Sequence, residues 1–488
     1  MLDDLEQTAL IYAGMNSPTN VVRLLLTNGT DPNAKSIYGS TALMCAGDNG
    51  HVDTVSTLLT NRADPEVQDK NGQTALMLAA QLGQTETVHR LLINGADANV
   101  QSHDGNTALI VAAEQGHADI VRLLLTKPVD PNVKNNSGDT ALNKAAYSNH
   151  TEIVRLLLTN RADPNVQNQY GSTSLGVSAQ NGHTQVVGML LANGADPKVQ
   201  NMRGETALIR ATNFDRHDVV VLLLANGADP NVQDSDGKTA LIVAAQQGHI
   251  SMSRALLSNR ADPNMRDGEG YTALMYATSK GHTDVVCVLL ANGAGPNVQN
   301  EKGWTALMYT ALRHREEILP VLLTHGADPH LQDKNGDTAL MVAASEDHWL
   351  IVHILLTNEA HSDVQSHNGD TALIKAALHG NTGIVDLLLA YGASPNVRNN
   401  QNCTALMMAA QNGHAAAVGF LLANRADRDM RNNQGITALM LAAEKGHDAV
   451  VNRLLHSHAE NFSHYSDVPR ALVGDEVLDT MIREEDGV

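Results

Sequence analysis

Apolar residues along this chain fall in short blocks that return at a fixed interval. One block reads Thr239-Ala240-Leu241-Ile242-Val243-Ala244-Ala245, followed by the polar stretch Gln246-Gln247-Gly248-His249. Leu, Ile and Ala at that spacing give a short helix, with Thr239 as its N-cap and Gly248 as its stop. A second block, Asp218-Val219-Val220-Val221-Leu222-Leu223-Leu224, predicts another short helix ending at Gly227. An Ala-Asp-Pro-Asn-Val-Gln stretch follows and is extended, because Pro fixes φ and lacks a donor. The Gly at Gly237 makes a tight turn ahead of the Thr. Each unit is therefore a turn, two helices and a hairpin-like loop, and neither helix is long enough to stand alone.

The Thr marks the period. It stands at Thr8, Thr41, Thr74, Thr107, Thr140, Thr173, Thr206, Thr239, Thr272, Thr305, Thr338, Thr371, Thr404 and Thr437, every step being 33 with no insertion or deletion. One step further lies Arg470, in Arg470-Ala471-Leu472, the decayed first half of a fifteenth unit. A fixed period replaces the usual division of 488 residues into several globular domains with one stack of units. Thr-x-Leu-x-x-Ala-Ala, Gly-His, Val-x-x-Leu-Leu and Gly-Ala-Asp-x-Asn at this period resemble the ankyrin repeat. The resemblance covers residues 3–464 as fourteen repeats, numbered here by their Thr, with 465–488 as a degenerate C-terminal capping half-repeat. It implies an all-α solenoid with projecting hairpin loops and a concave face built from those fingers and the first helices.

The chain departs from the family's Thr-Pro-Leu-His. Ala fills the Pro slot in thirteen repeats and Ser174 in the other. The His slot holds Met or Ile twelve times, Met44, Met77, Ile110, Ile242, Met275, Met308, Met341 and Met440 among them, which reads as a plastic core between repeats. Arg62, Arg161, Arg260 and Arg425 replace the turn glycine after the second helix, a left-handed position where Arg should cost about 1 kcal/mol against Gly. Repeat 10 carries His314-Arg315 in place of Gly-His, and Pro320 sits inside its second helical pattern. Repeat 11 has Asp347 for the turn Gly. A local stability minimum is expected there.

Charge adds little. The net −20 comes from 53 acidic and 33 basic residues, but ten Asp occupy one turn slot, so much of the acidity is turn chemistry. Nucleic-acid binding is disfavoured, since it needs a basic footprint. No apolar run approaches a membrane span, and the acidic start Met1-Leu2-Asp3-Asp4 lacks a secretory core. Cys45, Cys287 and Cys403 are far apart and form no CxxC pair, which points to a reducing, cytoplasmic setting, with the nucleus left open. No phosphate loop, His-Glu-x-x-His or nucleophile elbow occurs, so no enzyme and no cofactor are expected. Nine histidines share one slot after the first helix, too far apart to share a zinc ion, and read as turn-capping residues; no metal site is expected.

Asn recurs two residues after the turn Asp, at Asn99, Asn132, Asn165, Asn231, Asn264 and Asn297 among others. Its plain role is bonding within the loop. The resemblance also implies that asparagine in this slot can be a substrate of an asparaginyl hydroxylase.

Framework positions are committed to stacking, which leaves finger positions and the outer turn of the first helix for a partner. Across repeats 2–14 the five main free slots carry twelve acids and eight bases, a mixed face rather than an acidic trough. Aromatics gather in repeats 9 and 10, with Tyr271 and Trp304 at the finger slot and Tyr276 and Tyr309 on the helix, followed by Leu312 and Arg313. Tyr, Trp and Arg are the types enriched at interface hot spots. Arg203, Phe214 and Met202 in repeat 7, and Ile37 and Tyr38 in repeat 2, are further candidates. The expected function is a monomeric, non-enzymatic protein-interaction scaffold that binds a peptide or folded partner on its concave face. Its rival is the targeting arm of a larger protein.

Overall fold

A computed structural model describes residues 8–16 and 18–456, and among these it forms 28 α-helices in fourteen pairs. The half-repeat expected at 465–488 lies outside the described residues. The chain divides into two compact units, Met1–Glu301 and Lys302–Val488, so the division falls in the finger of repeat 10.

In the first unit, repeat 8 shows how the sequence makes the pair. Thr239 is extended at φ −90°, and its side-chain oxygen accepts the Ile242 N–H at 3.3 Å. That satisfies one of the donors a helix start leaves open. The first helix runs Ala240–Gln247 and stops at Gly248, which is left-handed at φ 81°. Leu241, Ile242, Ala244 and Ala245 are all buried. Second helices are typically nine residues, as in His217–Ala225, and bury Val219, Val220, Leu223 and Leu224. Burying each such aliphatic side chain stabilises by roughly 1.5–3 kcal/mol, which offsets the ordering of helices too short to persist alone.

The Met/Ile slot is core, except in repeat 14, the last described repeat, where Met440 is 51 % exposed. Met44, Met77 and Met275 are each 1 % exposed. Repeat 5 places Asn143 in that slot, and repeat 6 carries the one Ser in the Ala slot. The two exceptions explain each other, because Asn143 Nδ2 donates to Ser174 Oγ at 3.2 Å in the buried interior. Asn143 Oδ1 also accepts the Thr140 N–H, closing a capping box.

Repeats are tied to their neighbours by bonds at fixed sequence offsets. Finger backbones pair in a ladder, with Met202 N–H donating to Tyr170 O at 3.0 Å and Ser235 N–H to Arg203 O at 2.9 Å. The finger glycines allow this approach: a Cβ on Gly171 would stand 2.8 Å from Met202 N. The turn Asn bonds within its own loop through its backbone N–H, as Asn231 does to Asp229 Oδ1, and links onward through its side chain. Asn231 Oδ1 accepts the Asp262 N–H and its Nδ2 donates to Arg260 O. Most slot histidines likewise reach back to a carbonyl of the preceding repeat, while His249 Nε2 bonds Gln247 Oε1 in its own turn. His117 Nε2 donates to Gln81 O and His183 Nε2 to Tyr147 O, each at 3.0 Å. The preceding repeat's Gly leaves room for that ring, since a Cβ on Gly83 would lie 2.8 Å from His117.

In the second unit repeat 10 departs from this plan. Its second helix is Ile318–Thr324, seven residues against nine in Trp349–Thr357 of repeat 11. Residues 316–317 form a turn, and Pro320 becomes the third helical residue rather than an interior one. A Pro there removes only a donor that has no intrahelical acceptor, so the helix is shortened instead of broken. His314 adopts φ 53°, and its ring stacks on His348 at 4.4 Å, the place where other repeats have a glycine against a histidine.

Candidate partner-binding site

Fingers and first helices of repeats 4–7, all within the first unit, enclose a groove of about 590 Å³. Its rim is apolar and open. Tyr147 is 61 % exposed, Tyr170 63 %, Met202 75 % and Phe214 45 %. Tyr170 and Met202 stand on adjacent fingers that the backbone ladder holds together; Tyr147 and Phe214 come from the last turns of first helices.

Its floor is charged. Lys144 Nζ lies 3.0 Å from Glu114 and 3.6 Å from Asp139. Burial works against the lysine charge, but the bonds and charges of these two carboxylates outweigh it and raise its pKa. Asp139 also accepts from Asn168 Nδ2 at 2.9 Å. Two repeats on, Arg210 donates to Ser172 Oγ at 2.8 Å and to Gln180 Oε1. Its pKa is lowered, first by burial and further by the neighbouring Arg203 charge, with Glu205 acting against both.

Of the residues the sequence singled out, Arg203, Phe214 and Met202 line this groove. Tyr271 and Tyr276 also lie in the first unit, with ring centroids 5.2 Å apart. The Tyr276 hydroxyl donates to Asp267 at 2.7 Å, and burial followed by that bond raises its pKa. Trp304, Tyr309, Leu312 and Arg313 lie in the second unit. Trp304 rests against Tyr309 at 5.2 Å; Tyr309 is buried, Trp304 and Leu312 half-buried, and Arg313 exposed. Tyr309 therefore has little surface left to offer a partner. Tyr38 is exposed and Ile37 half-buried.

Tyr147 and Tyr170 escaped notice in the sequence, whereas Arg210 stood out with Lys144 and Lys375 as a cation four residues after the Thr. The two tyrosines occupy free slots, three before and seven after their Thr, but they are 23 residues apart in the chain and join only across stacked repeats. The candidate hydroxylation residues sit in the inter-repeat links: Asn99, Asn132, Asn165, Asn231 and Asn264 each donate from Nδ2 to a carbonyl of the next repeat. Asn297 holds the same slot. Among the described residues no three His, Cys, Asp or Glu gather as metal ligands, and no helix is long and apolar enough to cross a membrane.

A family model described as ankyrin repeats matches in eleven overlapping stretches that together run from residue 1 to residue 464. Among solved structures the chain is similar to the ankyrin repeat domain of Bcl-3, described as a unique member of the IkappaB protein family. The identity is 28 % over 44 % of this chain and 98 % of that one, with a TM-score of 0.41. No curated protein matches the chain.

Proposed function

Because the chain belongs to the ankyrin repeat family, we propose that it is a non-enzymatic interaction module that holds an extended segment of a protein partner in the groove of repeats 4–7. One observation carries this reading: four large apolar side chains stand exposed around one groove, in a chain with only two Trp, nine Tyr and three Phe. Rigid aromatic side chains around a concave, partly charged floor suit recognition of an extended chain, which buries its own side chains between fingers. Framework residues spend their surface on stacking, so the groove is where surface remains.

The test is affinity capture from native lysate with mass spectrometry, run beside Tyr170→Ala and Phe214→Ala. Partners should be retained by the native chain and lost from both variants, with circular dichroism melts unchanged. Capture that is the same with all three proteins would remove the groove from consideration. Trp304 and Arg313 are a second contact region of the same kind, supported by a half-buried Trp ring and an exposed Arg in one repeat. Trp304→Ala and Arg313→Ala belong in the same experiment.

A further inference from the structure

The slot four residues after the Thr carries a cation in three repeats, and the three can be compared directly. Lys144 meets Glu114, thirty residues back, at 3.0 Å. Lys375 meets Asp337, thirty-eight residues back, at 2.8 Å. Arg210 has partners at the same two offsets, but there the residues are Gln180 and Ser172. The carboxylate on its own finger, Glu205, accepts from Asn201 Nδ2 at 2.8 Å and lies outside ion-pair distance of Arg210. Two of the three slot cations thus pair with a carboxylate from the preceding repeat, whereas repeat 6 offers Arg210 only neutral acceptors. Arg203, an exposed second guanidinium near enough to act on Arg210 by charge, lines the same end of the groove. Phe214 and Met202 stand beside them.

The half-buried Arg210 guanidinium hydrogen-bonds only neutral acceptors, and the one carboxylate acting on it, Glu205, faces two guanidiniums, Arg210 and Arg203, so this end of the groove carries an excess of positive charge. Arginine is the residue type suited to a carboxylate in such a site, because its fork bonds both oxygens at once. On the reading that the groove takes an extended segment, we infer that this segment carries an Asp or Glu side chain that pairs with Arg210 and Arg203, next to an aromatic or large aliphatic residue that packs on Phe214 and Met202. The floor sets the direction of the segment. Glu114 and Asp139 at the repeat 4–5 end are already matched by Lys144 and repel a second acid, so the acid seats at the repeat 7 end.

A displayed library of random twelve-residue peptides, selected on the purified full-length chain, tests this. Enriched peptides should share an acid at a fixed spacing from an aromatic or large aliphatic residue. Resynthesised with Glu→Gln or Asp→Asn at that position, they should bind the native chain about tenfold more weakly or worse, as expected for loss of a close charge pair. The same exchange should change binding to Arg210→Gln by about twofold at most, and Arg210→Lys should keep part of the preference. Arg203→Gln, a change at an exposed side chain, should reduce the preference without touching the fold. Peptides lost from both Tyr170→Ala and Phe214→Ala, yet indifferent to the acid or equally sensitive to it in Arg210→Gln, would overturn the acidic-segment inference and leave the groove standing. Peptides indifferent to Tyr170→Ala and Phe214→Ala, or no enriched peptide at all, would overturn both.

Discussion

Arg62, Arg161, Arg260 and Arg425 hold φ between 65° and 67°, in the slot where other repeats place Gly. What each contributes to folding is its backbone, since Arg260 O accepts from Asn231 Nδ2 whatever side chain it bears. Arg260→Gly should therefore keep that link and relieve the left-handed strain, raising stability by about 1 kcal/mol. An unchanged urea midpoint would contradict this. The strain was legible in the sequence, because seven of thirteen residues in the slot are Gly. The partnership of Asn143 and Ser174 was not. Both appeared only as departures from pattern, and the 31 residues between them close up only when repeats stack. Ser174→Ala should leave the Asn143 amide short of an acceptor and destabilise by about 1–2 kcal/mol. Adding Asn143→Ile should recover most of that, so the two changes couple in a double-mutant cycle. Strictly additive effects would show that the buried bond contributes nothing.

At the scale of elements, the period placed both helices of every pair, and the capping threonines placed their starts. Repeat 10 is where this reasoning stopped short. A helix beginning at the usual slot puts Pro320 in the fifth position, at a cost of about 3 kcal/mol in a helix interior. Beginning at Ile318 puts it third, where its missing donor is not needed. Pro320→Ala should accordingly shift stability by less than about 1 kcal/mol, and a gain near 3 would mean that the helix is strained after all. The shortened helix buries Ile318, Leu319 and Leu322, as many residues as Ile250–Ser258 of repeat 8, while Thr283–Ala291 of repeat 9 buries five. Amide exchange in residues 318–324 should be faster than in 283–291, as measured by mass spectrometry on the native chain. Equal protection would remove the soft site. The groove was half legible for a similar reason. Slot position identifies which residues can face a partner, as it did for Arg203 and Phe214. Which neighbouring repeats combine their free residues into one concavity depends on stacking, so Tyr147, Tyr170 and the neutral partners of Arg210 surfaced only in the structure.

For the molecule as a whole, the period runs from Thr8 to Thr437 without a change of step, and so gives no sign of the division at Glu301 and Lys302. The division has a spectroscopic handle. Both tryptophans, Trp304 and Trp349, belong to the second unit, whereas the helices that dominate far-ultraviolet dichroism are spread over both. Stability in stacked repeats is approximately a sum of local and nearest-neighbour terms, and long arrays depart from two-state unfolding. Urea transitions followed by tryptophan fluorescence and by dichroism should therefore differ in midpoint, and superimposable curves would establish one cooperative body. The bonds between repeats have a consequence for the gene. Gln68 reaches the carbonyl 33 residues ahead and His117 the one 36 behind, while Asn231 donates to the carbonyl 29 ahead and accepts from the N–H 31 ahead. A codon gained or lost inside one unit throws several of these out of step together, while duplication or excision of a complete unit leaves every offset as it was. Selection acting on such a chain removes small length errors and passes large ones, so its history is written in whole copies.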